Sequence, residues 1–184
     1  MRTVKLFFLA SVMGIFACQF SVAQTTTPIT VERYAAVSTP TVTQKYTNDQ
    51  IRSMIMQGKQ ASSSDIMPSA TLAQRFMSDF PQARDAEWEL GGGVYEVEFE
   101  VATTDYKAYY DAEGELLGYK YDIRRRDVPA NIRNVIDGRH PGYRYEDVSW
   151  VRTGSDTYYN VKLERGNEEV KIMVRTDGTI MTNF

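Results

Sequence analysis

Tyr95-Glu96-Val97-Glu98-Phe99-Glu100 and Tyr159-Asn160-Val161-Lys162-Leu163-Glu164 are the stretches on which the reading of this chain turns. Each alternates apolar with polar side chains, the period-two pattern of a strand with one buried face. They lie 64 positions apart, and at the same offset Lys107 matches Lys171 and Gly114 matches Gly178. Upstream of each stand a Trp (Trp88, Trp150), then a Pro (Pro81, Pro141), then a helical pattern. Self-similarity at a fixed spacing marks a duplicated unit. The sequence therefore predicts one repeat over 66–123 and a second over 127–184.

Within the first repeat, Pro68 and Ser69 open a segment whose Leu72, Ala73, Phe76, Met77 and Phe80 share a helical face, and Pro81 stops it. Pro129, Ile132, Val135 and Ile136 repeat the pattern, with Gly138 and Pro141 ending it. Strands are expected at about 84–90, 94–101, 105–111 and 115–122, and at about 146–153, 158–164, 168–175 and 179–183. Their connections are short, which makes neighbours antiparallel hairpins. Gly91-Gly92-Gly93, Ala102-Thr103-Thr104 and the turns ending at Gly114 and Gly178 separate them. The expected fold class is α+β: a tandem repeat of one helix packed on a four-stranded antiparallel sheet, the two sheets forming one curved surface. Units of about 60 residues bury only about 60% of their unfolded surface, so the halves are expected to pack together.

Alternation points Tyr95, Val97, Phe99, Val101, Tyr159, Val161 and Leu163 toward the helices and the intervening polar residues the other way. Symmetric hairpins would set Glu100 opposite Lys107 and Glu164 opposite Lys171. Matched positions place Trp88 and Trp150 beneath the helices. The face of Tyr119 and Tyr121 stays open, because a bulge at Gly114 can slip their register by one residue.

Residues 1–23 stand apart. Arg2 and Lys5 precede an apolar run from Leu6 to Ala17, and Ser21-Val22-Ala23 offers a cleavage site before Gln24, the pattern of a secretory signal. The run is too short to span a bilayer about 30 Å thick. The rival reading cuts before Cys18 and tethers the chain by lipid. Cys18 is the only cysteine, so the exported chain would carry no disulfide. Localisation is read as periplasmic or secreted, with an outer-membrane lipoprotein as the alternative. Residues 24–65 read as a Thr-rich mobile arm, a short helix and a linker: Thr47-Asn48-Asp49-Gln50 offers a capping box, Ile51, Met54 and Ile55 share a face, and Gly58 supplies a stop.

The elements now assembled resemble the PepSY-like family, whose tandem members are compared with the beta-lactamase inhibitor protein. The match runs over roughly 66–184. It rests on the apolar-x-Pro openings (Ile66-Met67-Pro68, Val128-Pro129), helices ending near Pro (Phe80-Pro81, His140-Pro141), the Tyr95-Glu96-Val97-Glu98 strand and closing hairpins at Gly114 and Gly178. The Thr-rich arm and Tyr109-Tyr110 depart from that pattern. The resemblance implies a helix on a four-stranded sheet in each half, export to the cell envelope, and binding or inhibition of other proteins. It lends no catalytic residues.

The residues themselves offer little for catalysis. His140 is the lone histidine and sits between Arg139 and Pro141 at a helix end, a surface or capping position. Zinc and thiol chemistry lack ligands and partners, so no metal or other cofactor is expected. Gly91-Gly92-Gly93 precedes a strand instead of a helix, which excludes a phosphate loop. Asp111, Glu113 and Glu115 alternate like a calcium loop, but Gly falls at its fourth position where an EF-hand requires the sixth. The formal charge is -3, and -5 without Arg2 and Lys5, so nothing favours nucleic acid. Arg124-Arg125-Arg126 reads as a solvated connector.

What remains is a sheet face. Glu96, Glu98, Glu100, Lys107, Tyr109, Lys162 and Lys171 are the candidate partner-binding residues, since charges beside tyrosine make a polar, aromatic interface. The expected function is an exported, non-enzymatic module that binds another envelope or extracellular protein, with inhibition as one form of that binding. The alternative is a small-ligand or ion-binding envelope protein using a cleft between the repeats. A carboxylate-only glycosidase is a third reading, for which the sequence shows no pair.

Overall fold

The computed structural model describes residues 39–181. The expected export signal, Cys18 and the part of the arm before Thr39 lie outside the described residues. In chain order come α1 (Asn48–Gln60), β1 (Ser64–Asp65), α2 (Ala70–Asp79), β2 (Arg84–Gly91), β3 (Val94–Val101), β4 (Thr104–Tyr110) and β5 (Leu116–Asp122). A short 3-10 turn, Arg125–Asp127, leads to α3 (Ala130–Arg139), β6 (Arg144–Thr153), β7 (Asp156–Arg165), β8 (Glu168–Arg175) and β9 (Ile180–Met181).

The expected fold class needs correction. The strands do not form a tandem of four-stranded sheets with one helix each; they form a single nine-stranded antiparallel sheet, ordered β1 to β9 as in the sequence. The merger happens where β5 pairs with β6, from Gly118 opposite Thr153 to Asp122 opposite Ser149. Left apart, each half would present a row of unpaired N–H and C=O groups, and joining them removes both edges. Aromatic packing seals the junction on the helix side: Tyr121 stacks on Trp150 at 5.0 Å and Tyr119 meets it at 5.6 Å. Tyr119 and Tyr121 thus belong to the core, with Lys120 between them on the other face.

One large core lies between the sheet and α2 with α3. Leu72, Phe76 and Phe80 of α2, and Ile132 and Ile136 of α3, meet Trp88, Val97, Phe99, Tyr106, Trp150, Tyr159, Val161 and Leu163. Phe76 and Phe80 hold Phe99 at centroid distances of 4.9 and 4.7 Å. Ser69 caps α2 by accepting the Leu72 N–H at 3.2 Å. Among these side chains Asp79 is buried, accepting from Arg75 Nε at 3.0 Å and Tyr110 OH at 3.2 Å.

The hairpin register also departs from expectation. Lys107 faces Glu98 and Glu100 faces Asp105, while Lys171 faces Lys162 and Glu164 faces Glu169. The turns are shorter than assumed. Only Ala102-Thr103 and Gly166-Asn167 lie outside the ladders, with Val101 opposite Thr104 and Arg165 opposite Glu168, so the partner of every residue shifts by two.

Residues 59–65 read as a linker, yet Lys59 and Gln60 belong to α1 and Ser64–Asp65 adds β1 beside Leu90 and Glu89 of β2. The end of the arm is packed as well. Val42 is buried in the main core, and the Thr43 N–H donates to Leu116 O at 2.8 Å. Tyr46 OH donates at 2.9 Å to Asp111, whose other carboxylate oxygen accepts the N–H groups of Glu113 and Glu115. A carboxylate that closes its own turn thereby anchors the arm.

Candidate functional site

The candidate residues sit on the sheet face away from α2 and α3, and α1 lies across part of that face. The capping box forms as read: Thr47 Oγ1 accepts the Gln50 N–H at 3.3 Å, and Gln50 Oε1 accepts the Thr47 N–H at 2.8 Å. Gly58 does not stop the helix, which continues to Gln60. Its role is closeness. A Cβ on Gly91 would stand 2.5 Å from Gly58 O, and one on Gly58 would stand 3.0 Å from Gly91 O and 3.1 Å from Val94 Cβ. Backbone thus rests on backbone, letting Ile51 and Ile55 reach Val94, Tyr109 and Leu117 as a second, smaller core.

At its other end α1 is tied to the second half. Ser155 N–H donates to Asn48 Oδ1 at 2.9 Å, and Asn48 Nδ2 donates to Ser155 Oγ at 3.0 Å. Arg52 reaches Asp156 at 2.8 Å, and the same carboxylate accepts from Arg175 at 3.0 and 3.3 Å. The helix therefore braces the β6–β7 hairpin against the β2–β3 hairpin.

Of the seven candidate residues, Tyr109 is the one removed from the surface. It is 4% exposed, with its hydroxyl unpartnered and Lys59 Nζ 5.1 Å above its ring. Burial, with Glu96 nearby, pushes its pKa well up, and desolvation pulls that of Lys59 down. Tyr109 cannot contact a partner while α1 is seated.

Glu96, Glu98, Glu100 and Lys107 lie together on β3 and β4. Lys107 bridges Glu96 at 3.0 Å and also touches Glu98. Across the junction, Lys162 holds Glu146 at 3.1 Å and Glu169 at 3.0 Å, while Lys171 stays largely exposed at 3.6 Å from Glu169. Hydrogen bonds donated to Glu169 and Glu146 raise the Lys162 pKa, and the same contact lowers that of Glu169. The seven thus share one face in two groups, with β5 and β6 between.

Sequence reasoning missed the acidic residues that flank the first group. Beside Glu98 and Glu100, a groove of about 230 Å³ is lined by Asp85, Glu87, Asp105 and Asp122, with Lys107 and Lys120. The signal was available in the alternation of Glu87 and Asp105 with Trp88 and Tyr106. Among the described residues no group of His, Cys, Asp and Glu is placed to hold a metal ion, and no helix is long and apolar enough to cross a membrane. His140 ends α3, where its N–H donates to Ile136 O at 2.9 Å and its ring meets Tyr143 edge-on. The connector arginines are engaged locally, Arg124 with Asp127 at 2.9 Å and Arg125 with Asp137 at 3.0 Å.

No protein family and no curated protein matches the sequence. Solved structures do match the fold. A DUF2874 family protein from Bacteroides uniformis is similar at 18% identity and a TM-score of 0.60, over 63% of this chain and 88% of its own. A BLIP-like protein from Bacteroides fragilis is similar at 16% identity and a TM-score of 0.58, over 64% of this chain and 85% of its own. A second DUF2874 family protein, from Bacteroides ovatus, is similar at 15% identity and a TM-score of 0.58, over 64% and 86%. The chain has the BLIP-like fold of these proteins.

Proposed function

We propose that this chain is an exported, non-enzymatic module of the cell envelope that binds another protein through the part of its sheet face left bare by α1. One observation carries the reading: the strands form a continuous sheet, with α2, α3 and the large core on one side and Glu98, Glu100, Lys107, Lys162 and Lys171 on the other, beside α1. A broad, charged sheet surface suits a protein partner better than a small ligand. Inhibition is one form such binding takes.

The likeness to a protein described as BLIP-like supports binding, and one to a Bacteroides eggerthii protein provisionally described as periplasmic supports the compartment. The amino-terminal pattern of Arg2, Lys5 and the apolar run points to the same place. The resemblance to the PepSY-like family rests on the order of the Pro, Tyr-x-Val and Gly elements within each half.

Capture from an envelope extract tests the reading, using the chain against a face variant, Glu98→Lys with Glu100→Lys and Lys162→Glu. A control variant carries Gln74→Lys with Ser78→Lys on the exposed side of α2. The partner should be lost with the face variant alone. Retention by the face variant, or equal loss with the control, rejects this face.

A further inference from the structure

We infer that the bare sheet strip over β2, β3 and β4 takes a segment of the partner protein carrying Lys or Arg side chains at alternate positions. The inference rests on the protein-binding reading of this face and adds the chemistry of the partner.

Strand register sets like charges against one another here. Glu87 stands opposite Glu98, and Glu100 stands between Asp105 on β4 and Arg84 on β2. Like charges directly across a ladder repel, so each juxtaposition costs the fold stability. Glu98 is relieved by Lys107. Among the described residues Asp85, Glu87, Glu100 and Asp105 form no ion pair.

The second half treats its carboxylates differently. Glu146, Glu164, Glu168 and Glu169 hold Lys162, Arg144, Arg165 and Lys162 at 3.1, 3.1, 2.9 and 3.0 Å. One sheet thus pairs these four glutamates at one end and leaves four acids without an ion pair at the other. The open ones line a single groove, on the part of the face that α1 leaves bare. Charges kept against stability are the mark of a binding surface.

Spacing selects the occupant. Same-face side chains on a strand recur about every 6.8 Å and neighbouring strands lie about 4.8 Å apart. The carboxylates are too spread to close on one metal ion. They match cations repeated along an extended chain, each meeting one or two acids.

A 12-residue peptide alternating Lys with Thr is the probe, followed by fluorescence anisotropy. Two variants of equal charge change are compared: Glu87→Gln/Glu100→Gln/Asp105→Asn on the strip, and Glu146→Gln/Glu164→Gln/Glu168→Gln on the neutralised end. The strip variant should lose about tenfold in affinity and the other less than about twofold, with binding weakening as salt rises from about 0.05 to 0.3 M. The strip variant should also melt higher than the parent, because its repulsions are gone, and that readout excludes loss through unfolding. Equal losses in both variants, or no peptide binding, overturn the inference. Displacement of the peptide by spermidine or calcium at equal concentration overturns it too, assigning the strip to a small cation. If the peptide fails while the reversed face variant still loses its envelope partner, the basic segment is wrong and the protein-binding face stands.

Discussion

Replacing Gly91 with Ala should lift the carboxyl end of α1 from the sheet. The added Cβ would meet Gly58 O at 2.5 Å and Gly58 C at 3.4 Å. Bringing the first contact out to an ordinary separation needs a shift of about 0.8 Å or more, and both partners are backbone, so no rotamer can absorb it. Overpacking of that kind costs about 1–3 kcal/mol. The mirror substitution provides the control. Gly58→Ala meets Gly91 O at 3.0 Å and Val94 Cβ at 3.1 Å, a milder crowding, and gains about 1 kcal/mol of helix propensity. Gly58→Ala should therefore fall within about 1 kcal/mol of the parent and Gly91→Ala well below it. Urea unfolding, read as a midpoint at constant slope, measures both. In melting temperature the gap corresponds to about 2–4 °C per kcal/mol for a domain of this size. A Gly91→Ala protein as stable as the parent, or less affected than Gly58→Ala, refutes the idea that backbone contact seats the helix.

Three further outcomes are expected. Asp156→Ala removes the acceptor shared by Arg52 and Arg175 and should cost about 1–3 kcal/mol; a cycle with Arg52→Ala that shows no coupling would dissociate the ion pair from the helix. Tyr109→Phe deletes a buried hydroxyl without a partner, so it should be neutral or stabilising by up to about 2 kcal/mol, and a loss beyond about 1 kcal/mol in urea unfolding would mean that the hydroxyl is satisfied. Burial holds the Asp79 carboxyl above the ordinary carboxylate range against the pull of Arg75 and Tyr110. The folded chain therefore binds that proton more tightly than the unfolded one, and stability falls as pH climbs from about 4 through the folded value. Asp79→Asn lacks this dependence, so its urea midpoint should gain on the parent as pH climbs from about 4. A constant difference over that climb counts against it.

Strands and the two core helices were legible because their signals are local. The alternation in Tyr95 to Glu100 and the face formed by Leu72, Phe76 and Phe80 depend only on what each segment buries. Register was not, since it turns on how many residues the turn holds, and pairing Thr104 and Asp105 into β4 shifts Lys107 from Glu100 to Glu98. The merger at β5 and β6 was hidden for another reason: ladder bonds join backbones, and Gly118 and Thr153 carry no mark of their meeting. Ile51 and Ile55 announced a helix with one buried side but not which surface would bury it. Gly58 looked like a terminator because the close approach of Gly91 is a tertiary fact. Of the candidate site, the charged face was readable from alternation, while the cover over Tyr109 and the unpaired state of Glu100 and Asp105 needed coordinates.

The tie between Asn48 and Ser155 spans 107 residues, whereas every ladder joins strands that follow one another in the chain. A polypeptide emerging amino end first can close each hairpin onto the last as it appears. The brace alone must wait, for its anchor is made only once β6 and β7 exist. Until then only Ile51, Ile55 and the contact of Gly58 with Gly91 hold α1 over Val94, Leu117 and Tyr109, and a nascent chain halted after β5 would carry that cover unbraced at its amino end.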